Sequence, residues 1–280
     1  MASLREIKDR IGSVKSTLKI TSAMKLVASS KLRKSQKAIE NMLPYRKTLE
    51  DMLSKVHTGN ESPLCRASAS GKVAIIAVSS NSSLCGAFNV NVVKAALAEA
   101  SKCDDVALIA VGRKVAEAAR RAGFDQDEDY SSLIGHPSSS AASGFAQKIV
   151  DRFLAGEFSK VLFVYNHFVS TAKQEITVEQ YLPLERSCAK ECSSDTFEEY
   201  ILEPSASEIE ESLMPQVLGL KVYTVLLDSA AAEHAARTIA MQTATDNAED
   251  ILSELTLEYN KGRQQKITAE ILDLVAGSAE

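Results

Sequence analysis

The sequence predicts an α/β protein of a particular build: a long antiparallel coiled coil of N- and C-terminal helices with a Rossmann-like α/β domain inserted between them. Three observations predict it. An apolar spacing of alternately three and four residues runs from Leu4 to Met42, the 3.5-residue period that keeps one seam toward a partner helix. Short Val- and Ile-rich runs then alternate with helical stretches through the middle of the chain. Finally, the ends carry opposite charge: residues 1–57 hold 13 Lys and Arg against 5 Asp and Glu, whereas residues 208–280 hold 5 against 13. Mutual pairing accounts for this asymmetry more simply than nucleic-acid or membrane binding by a basic helix, and it helps select partner and orientation. The domains expected are 1–59, the first coiled-coil helix; 60–207, the α/β domain with its linker and a surface loop; and 208–280, the helix that pairs with the first.

Taken in order, Ser3 with Glu6 three residues later forms a capping-box pattern at the start of the first helix. The seam reads Leu4, Ile7, Ile11, Val14, Leu18, Thr21, Lys25, Ala28, Leu32, Ser35, Ile39 and Met42. Its polar members Thr21, Lys25 and Ser35 read either as register-setting or tolerated positions or as a seam that grips its surroundings lightly. Pro44 is expected to bend or break the helix, after which Leu49, Leu53 and Val56 continue the apolar face toward Gly59. Residues 60–71 form a linker. Lys72–Ser79, Asp105–Val111 and Lys160–His167 read as buried strands, and Glu175–Leu182 as an edge strand. Helices are expected over Asn89–Ser101, Arg113–Arg121 and Ser140–Leu154, and a polar surface loop over 186–207. From Ser207 to Val275 the chain reads as helix again, Ala-rich over Ala230–Ala248, with Ile251, Leu255, Ile267, Ile271 and Leu274 supplying later apolar positions. Antiparallel pairing would set Ile7 and Ile11 near the C-terminal end of that helix.

Composition narrows the function. A 280-residue chain with 45% hydrophobic and 25% charged residues folds, and 5% aromatics with no Trp suits long helices better than a thick core. The start lacks a secretory pattern and no apolar run approaches about 18 residues, so a cytosolic chain is expected, reaching a membrane only through a partner. The odd number of cysteines reads as reduced thiols, including Cys188 and Cys192, whose spacing fits neither a zinc nor a thioredoxin pattern. His57, His136, His167 and His234 have no partner at ligand spacing and read as surface or packed side chains. Asp104/Asp105 and Glu198/Glu199 read as solvated carboxylates. The loop Ser79–Gly86 lacks both the three-glycine turn of a dinucleotide site and a Gly-Lys-Ser/Thr phosphate loop. Cys85 in that loop has no local base and reads as a packed or interface thiol. No catalytic residue, cofactor or metal is therefore expected.

Three segments carry a family resemblance. Leu4–Gln36 (LREIKDRIGSVKSTLKITSAMKLVASSKLRKSQ) resembles the N-terminal helix of the gamma subunits of F-type rotary ATP synthases, and Asp228–Glu280 resembles their C-terminal helix. Ser83–Asn89 (SLCGAFN) is similar to the family's loop after the first strand, although Asn81-Ser82-Ser83 stands where the family has an acidic residue, Arg and Gly. The resemblance implies a non-catalytic central rotor shaft within a ring of three alpha and three beta subunits, the betas holding the catalytic nucleotide sites. It further implies an epsilon subunit and a membrane c-ring at the foot, no nucleic acid, and a peripheral place on the cytoplasmic face of a bacterial inner membrane. Partner contacts are implied at Met24, Lys25, Cys85, Arg263, Gln264, Thr268 and Glu270. Two rival readings are a non-rotating coiled-coil scaffold or adaptor and, below it, an enzyme built on the α/β domain.

Overall fold

A computed structural model describes residues 3–56, 63–65, 71–103, 105–125, 128–184, 203 and 205–277. His57, Asp104, Cys188, Cys192, Glu198 and Glu199 lie outside the described residues. Two long helices, α1 (Leu4–Val56) and α6 (Ala206–Gly277), flank four strands, β1 (Lys72–Val78), β2 (Val106–Val111), β3 (Phe158–Phe168) and β4 (Gln174–Leu182). Between the strands lie α2 (Phe88–Ala100), α3 (Arg113–Arg121), α4 (Ser131–Gly135) and α5 (Ser139–Leu154). The chain divides into two compact units, Met1–Ser29 with Arg237–Glu280, and Ser30–Ala236.

In the first unit the helix termini follow the sequence closely. The Ser3 N–H donates to Glu6 Oε2 at 3.0 Å and the Glu6 N–H to Ser3 Oγ at 3.2 Å, closing the capping box. Ile7, Thr21 and Ala28 are buried, and Leu4, Ile11, Val14, Leu18 and Lys25 are half-buried, as the seam requires. Leu4 packs against Gly262, where an added Cβ would lie 3.0 Å from the Leu4 Cδ2. The buried hydroxyls of Thr21 and Thr245 meet at 2.9 Å. From Leu4 to Thr21 and from Gly262 back to Thr245 the steps are equal and opposite, which fixes an antiparallel register. Gly262 therefore faces the first residue of α1, and α6 continues beyond it to Gly277. Ile7 and Ile11 consequently lie short of the C-terminal end, and Ile251, Ile267 and Ile271 are exposed while Leu255 is buried. The three- and four-residue spacing finds the apolar positions but cannot tell where the partner helix stops.

In the second unit the sheet order is β2-β1-β3-β4, with β1 parallel to β2 and to β3, and β4 antiparallel on the edge. Alternation of side chains divides two cores between its faces. Ala74, Ile76, Val78, Phe163 and Tyr165 face Phe145, Ile149 and Phe153 of α5 and Leu218, Val222 and Leu226 of α6. Ile75, Ala77, Leu108 and Val164 face Val92 and Ala96 of α2 and Val115 and Ala119 of α3. In the same unit, Leu32 packs with Ala231 and Ala235, and the Thr224 hydroxyl lies 3.8 Å from Met42 Sδ.

Of the bend or break expected at Pro44, the break does not occur: α1 runs on through it. Proline forfeits one helical hydrogen bond, but Met42 and Leu49 on either side are buried and hold both turns in place. Gly112, before α3, is required by geometry: its φ is 106°, and a Cβ there would lie 2.2 Å from the Ser79 carbonyl oxygen. Ser79 Oγ in turn accepts the Val115 N–H at 2.9 Å, serving the first turn of α3. Two alanine substitutions should therefore diverge. Gly112→Ala is expected to cost more than about 2 kcal/mol of stability, whereas Gly262→Ala, meeting only the flexible end of Leu4, should be neutral or stabilise by up to about 1 kcal/mol. Thermal unfolding of the two variants checks both.

Candidate functional site

Two surfaces deserve a chemical reading, one in each unit. In the α/β unit the chain leaves β1 for β2 on one side and returns to β3 on the other. The crevice between the carboxyl ends of β1 and β3 is where open α/β sheets usually bind ligands. Here the chain's own side chains hydrogen-bond to one another around the strand ends. The Ser80 N–H donates to Asn89 Oδ1 at 3.0 Å, and the Ser80 hydroxyl lies between Asn89 Oδ1 (3.0 Å) and the Ser82 carbonyl (2.6 Å). Asn89 Nδ2 donates to Cys85 Sγ at 3.1 Å and to the Ser82 carbonyl at 3.4 Å. Asn166 Nδ2 donates to the Phe88 carbonyl at 3.2 Å. Cys85 and Phe88 are buried against Ala232 of α6, with Phe168 and Ala236 packed alongside.

Asn81 joins this loop to its neighbours: Nδ2 donates to the Ser131 carbonyl at 2.8 Å and Oδ1 accepts the Arg113 N–H at 3.1 Å. The Cys85 thiol is buried, so any contact made by its loop comes from the adjoining exposed residues. Leu84 stands out: it is 59% exposed and held at φ 67°, in the left-handed region that a Leu side chain disfavours. Sequence reasoning passed over it; its one available signal was an aliphatic residue in a Ser-rich loop.

In the helical unit Arg263, Gln264, Thr268 and Glu270 are all exposed, on the stretch of α6 beyond Gly262. The Thr268 hydroxyl donates to the Gln264 carbonyl at 2.9 Å, and Lys266 lies 3.7 Å from Glu270. Met24 and Lys25 are half-buried on α1. The Thr21–Thr245 pairing sets them beside residues 241–242 of α6, about 30 Å of helix from Gln264 at 1.5 Å per residue. The structure therefore groups the four α6 residues and separates them from Met24 and Lys25. Around both groups lie aliphatic side chains outside the seam: Leu26 (70% exposed), Val27 and Ile20 on α1, and Leu257 (71%), Ile267, Ile271 and Leu272 on α6.

Among the described residues no group of three or more His, Cys, Asp or Glu is placed to hold a metal ion. His167, read as a lone surface or packed histidine, has Nδ1 at 2.5 Å from Asp228 Oδ2. Burial and then the neighbouring Glu179 push the Tyr165 phenol well above its ordinary range, so it stays neutral and donates to Glu179 Oε2 at 3.2 Å.

The class so defined is a four-stranded α/β unit joined in one chain to an antiparallel pair of long helices that expose aliphatic side chains. Comparison with known proteins identifies the family. The family model described as ATP synthase matches residues 3–279. The ATP synthase gamma chain of Bacteroides fragilis is 47% identical over 288 residues, covering 99% of both chains, and that of Bacteroides thetaiotaomicron is 46% identical over the full length of both. Among solved structures, a chain of the Euglena gracilis mitochondrial ATP synthase (OSCP/F1/c-ring, rotational state 3) is 17% identical, with TM-score 0.65 over 99% of this chain and 93% of that one. A chain of the Tetrahymena thermophila mitochondrial ATP synthase central stalk and c-ring is 22% identical, with TM-score 0.59 over 80% of this chain and 99% of that one. The chain belongs to the ATP synthase gamma-chain family.

Opposite changes are expected at the loop. Leu84→Gly should raise stability by about 1 kcal/mol by releasing the left-handed strain, and Asn89→Ala should lower it by about 2 kcal/mol by stranding the Ser80 N–H. Urea unfolding of the two variants measures both.

Proposed function

We propose that this chain is the central rotor shaft of an F-type ATP synthase, and that it couples ion-driven rotation to the conformational cycling of catalytic subunits without itself binding or cleaving nucleotide. The observation that carries the reading is whole-chain similarity to gamma chains together with a helical unit that exposes aliphatic side chains among charged ones outside its own seam. Three alpha and three beta subunits would surround the helices, the betas holding the nucleotide sites. The epsilon subunit and a membrane c-ring would engage the α/β unit. No described helix is long and apolar enough to cross a membrane. The chain would thus sit peripherally, on the cytoplasmic face of a bacterial inner membrane, by way of the complex.

The mechanism follows from symmetry. A shaft with two unlike helices has no threefold axis, so it meets each of three equivalent catalytic subunits with a different surface. Each orientation stabilises a different conformation in each subunit, and turning the shaft moves every site through states of different nucleotide affinity. Met24, Lys25, Arg263, Gln264, Thr268 and Glu270 are assigned as contacts on the helices, and the Cys85 loop as a contact on the α/β unit, delivered through Leu84. Exposed side chains of mixed polarity suit contacts that form and break each turn; a deeply apolar surface would hold one orientation.

Tagging the chain, extracting it from its native membranes in mild detergent and weighing the intact complex tests the assembly. One copy with three alpha-like and three beta-like subunits is expected; recovery alone or with unrelated partners would remove the rotor reading. Within that complex, Gln264→Leu should impair ion-driven ATP synthesis while leaving the shaft folded, and unchanged synthesis would remove that contact.

A further inference from the structure

The carboxyl edge of the sheet carries one arrangement that the shaft reading leaves without a role. Within the α/β unit, α6 lies along one sheet face from Met214 to Leu226 and then passes the carboxyl end of β3. Three polar ties fasten it there. The buried Tyr181 hydroxyl donates to the Leu218 carbonyl at 3.2 Å. Lys221 Nζ reaches Glu179 Oε1 at 3.1 Å and donates to the Gln180 carbonyl at 3.0 Å. Asp228 uses both carboxylate oxygens: Oδ1 accepts the Phe168 N–H at 2.9 Å and Oδ2 lies 2.5 Å from His167 Nδ1. Positions 218, 221 and 228 fall on one face of the helix.

The third tie holds an unusual residue. The Phe168 ring belongs to two packing clusters, one with Leu32 and Ile39 of α1 and Ala231 and Ala235 of α6, the other with Cys85, Phe88 and Ala232. The residue whose backbone Asp228 grips is therefore the one whose ring wedges between both long helices and the loop after β1. Apolar contact is non-directional and resists separation better than rolling or sliding. A carboxylate held at both oxygens fixes distance and angle together.

We propose that Asp228, with His167, positions Phe168 as the fastening through which torque passes between the α/β domain and the helices. Asp228 is a positioning residue, remote from any nucleotide chemistry, and the proposal rests on the rotor reading. A sideways load on the domain reaches the ring of Phe168, and the alanine surface of α6 with Leu32 of α1 receives it. Loosening the grip lets the domain lag behind the helices under load, so the motor slips.

The test uses the whole complex, purified and reconstituted into vesicles, with ATP hydrolysis and ATP-driven ion pumping measured on the same preparation. Asp228→Ala is expected to lower ions pumped per ATP about fivefold, with hydrolysis and subunit content close to the parent, as loss of a charge-assisted tie would give. Asp228→Asn retains an acceptor for the Phe168 N–H and should restore most of the ratio. If Asp228→Ala fails to assemble, Phe168→Leu keeps apolar volume while shortening the wedge and should lower the same ratio. An unchanged ratio in the assembled variants, or a parallel fall of hydrolysis and pumping, would overturn the proposal. Absence of ATP-driven pumping by the parent complex would instead bring down the rotor reading itself.

Discussion

The helical part of the chain depends on one constraint: segments separated in sequence by an entire α/β domain must meet antiparallel and in a single register. Apolar seams alone specify register weakly, since a slip of one heptad re-pairs most side chains with similar ones. In the helical unit the contact between Thr21 and Thr245 favours one register. Both hydroxyls are buried and each also bonds a carbonyl of its own helix, Leu18 or Met241, so a slip forfeits the one bond between them, about 1 kcal/mol. Gly262 adds a steric marker, because it is the position on which Leu4 rests. In the α/β unit the small Ala231 and Ala235 under Leu32 allow close approach of the two helices.

The same close approach of small residues shapes the carboxyl edge of the sheet. α6 packs on one sheet face through Leu218, Val222 and Leu226, and Ala232 then meets Cys85 and Phe88 in a close fit. Asn89 then takes up the Ser80 donors that an exposed loop would leave to solvent or ligand. The edge has become a joint, and its polar groups serve fastening.

Much of this was legible in the sequence because the determinants are local. The seam from Leu4 to Met42 is buried or half-buried at every predicted position, the Ser3–Glu6 box closes as written, and the strand and helix limits shift by only a few residues. What escaped was non-local. Pro44 reads as a bend or break, and the break does not occur, because the sequence shows the lost hydrogen bond and hides the packing of Met42 and Leu49. The stretch of α6 beyond Gly262 reads as more coiled coil because apolar spacing does not record where the other helix begins. His167 and Asp228 are far apart in the chain, so no spacing rule joins them. Leu84 is strained only by the loop around it.

For a shaft, such a division of labour makes physical sense. Fixed register and fastened joints belong inside the protein, while the surface offered to its surroundings stays mixed, with Lys31, Arg33, Lys34 and Lys37 exposed on α1 and aliphatic side chains bare in the helical unit. The most direct measurement of the central claim is a reversible lock. Gln264→Cys in this chain would be joined by a disulfide to a cysteine placed on the facing catalytic subunit, and steady-state ATP turnover followed through oxidation and reduction. A turning shaft predicts that oxidation stops turnover and reduction restores it. Turnover that continues undiminished with the disulfide closed would contradict rotation and leave a static scaffold as the account.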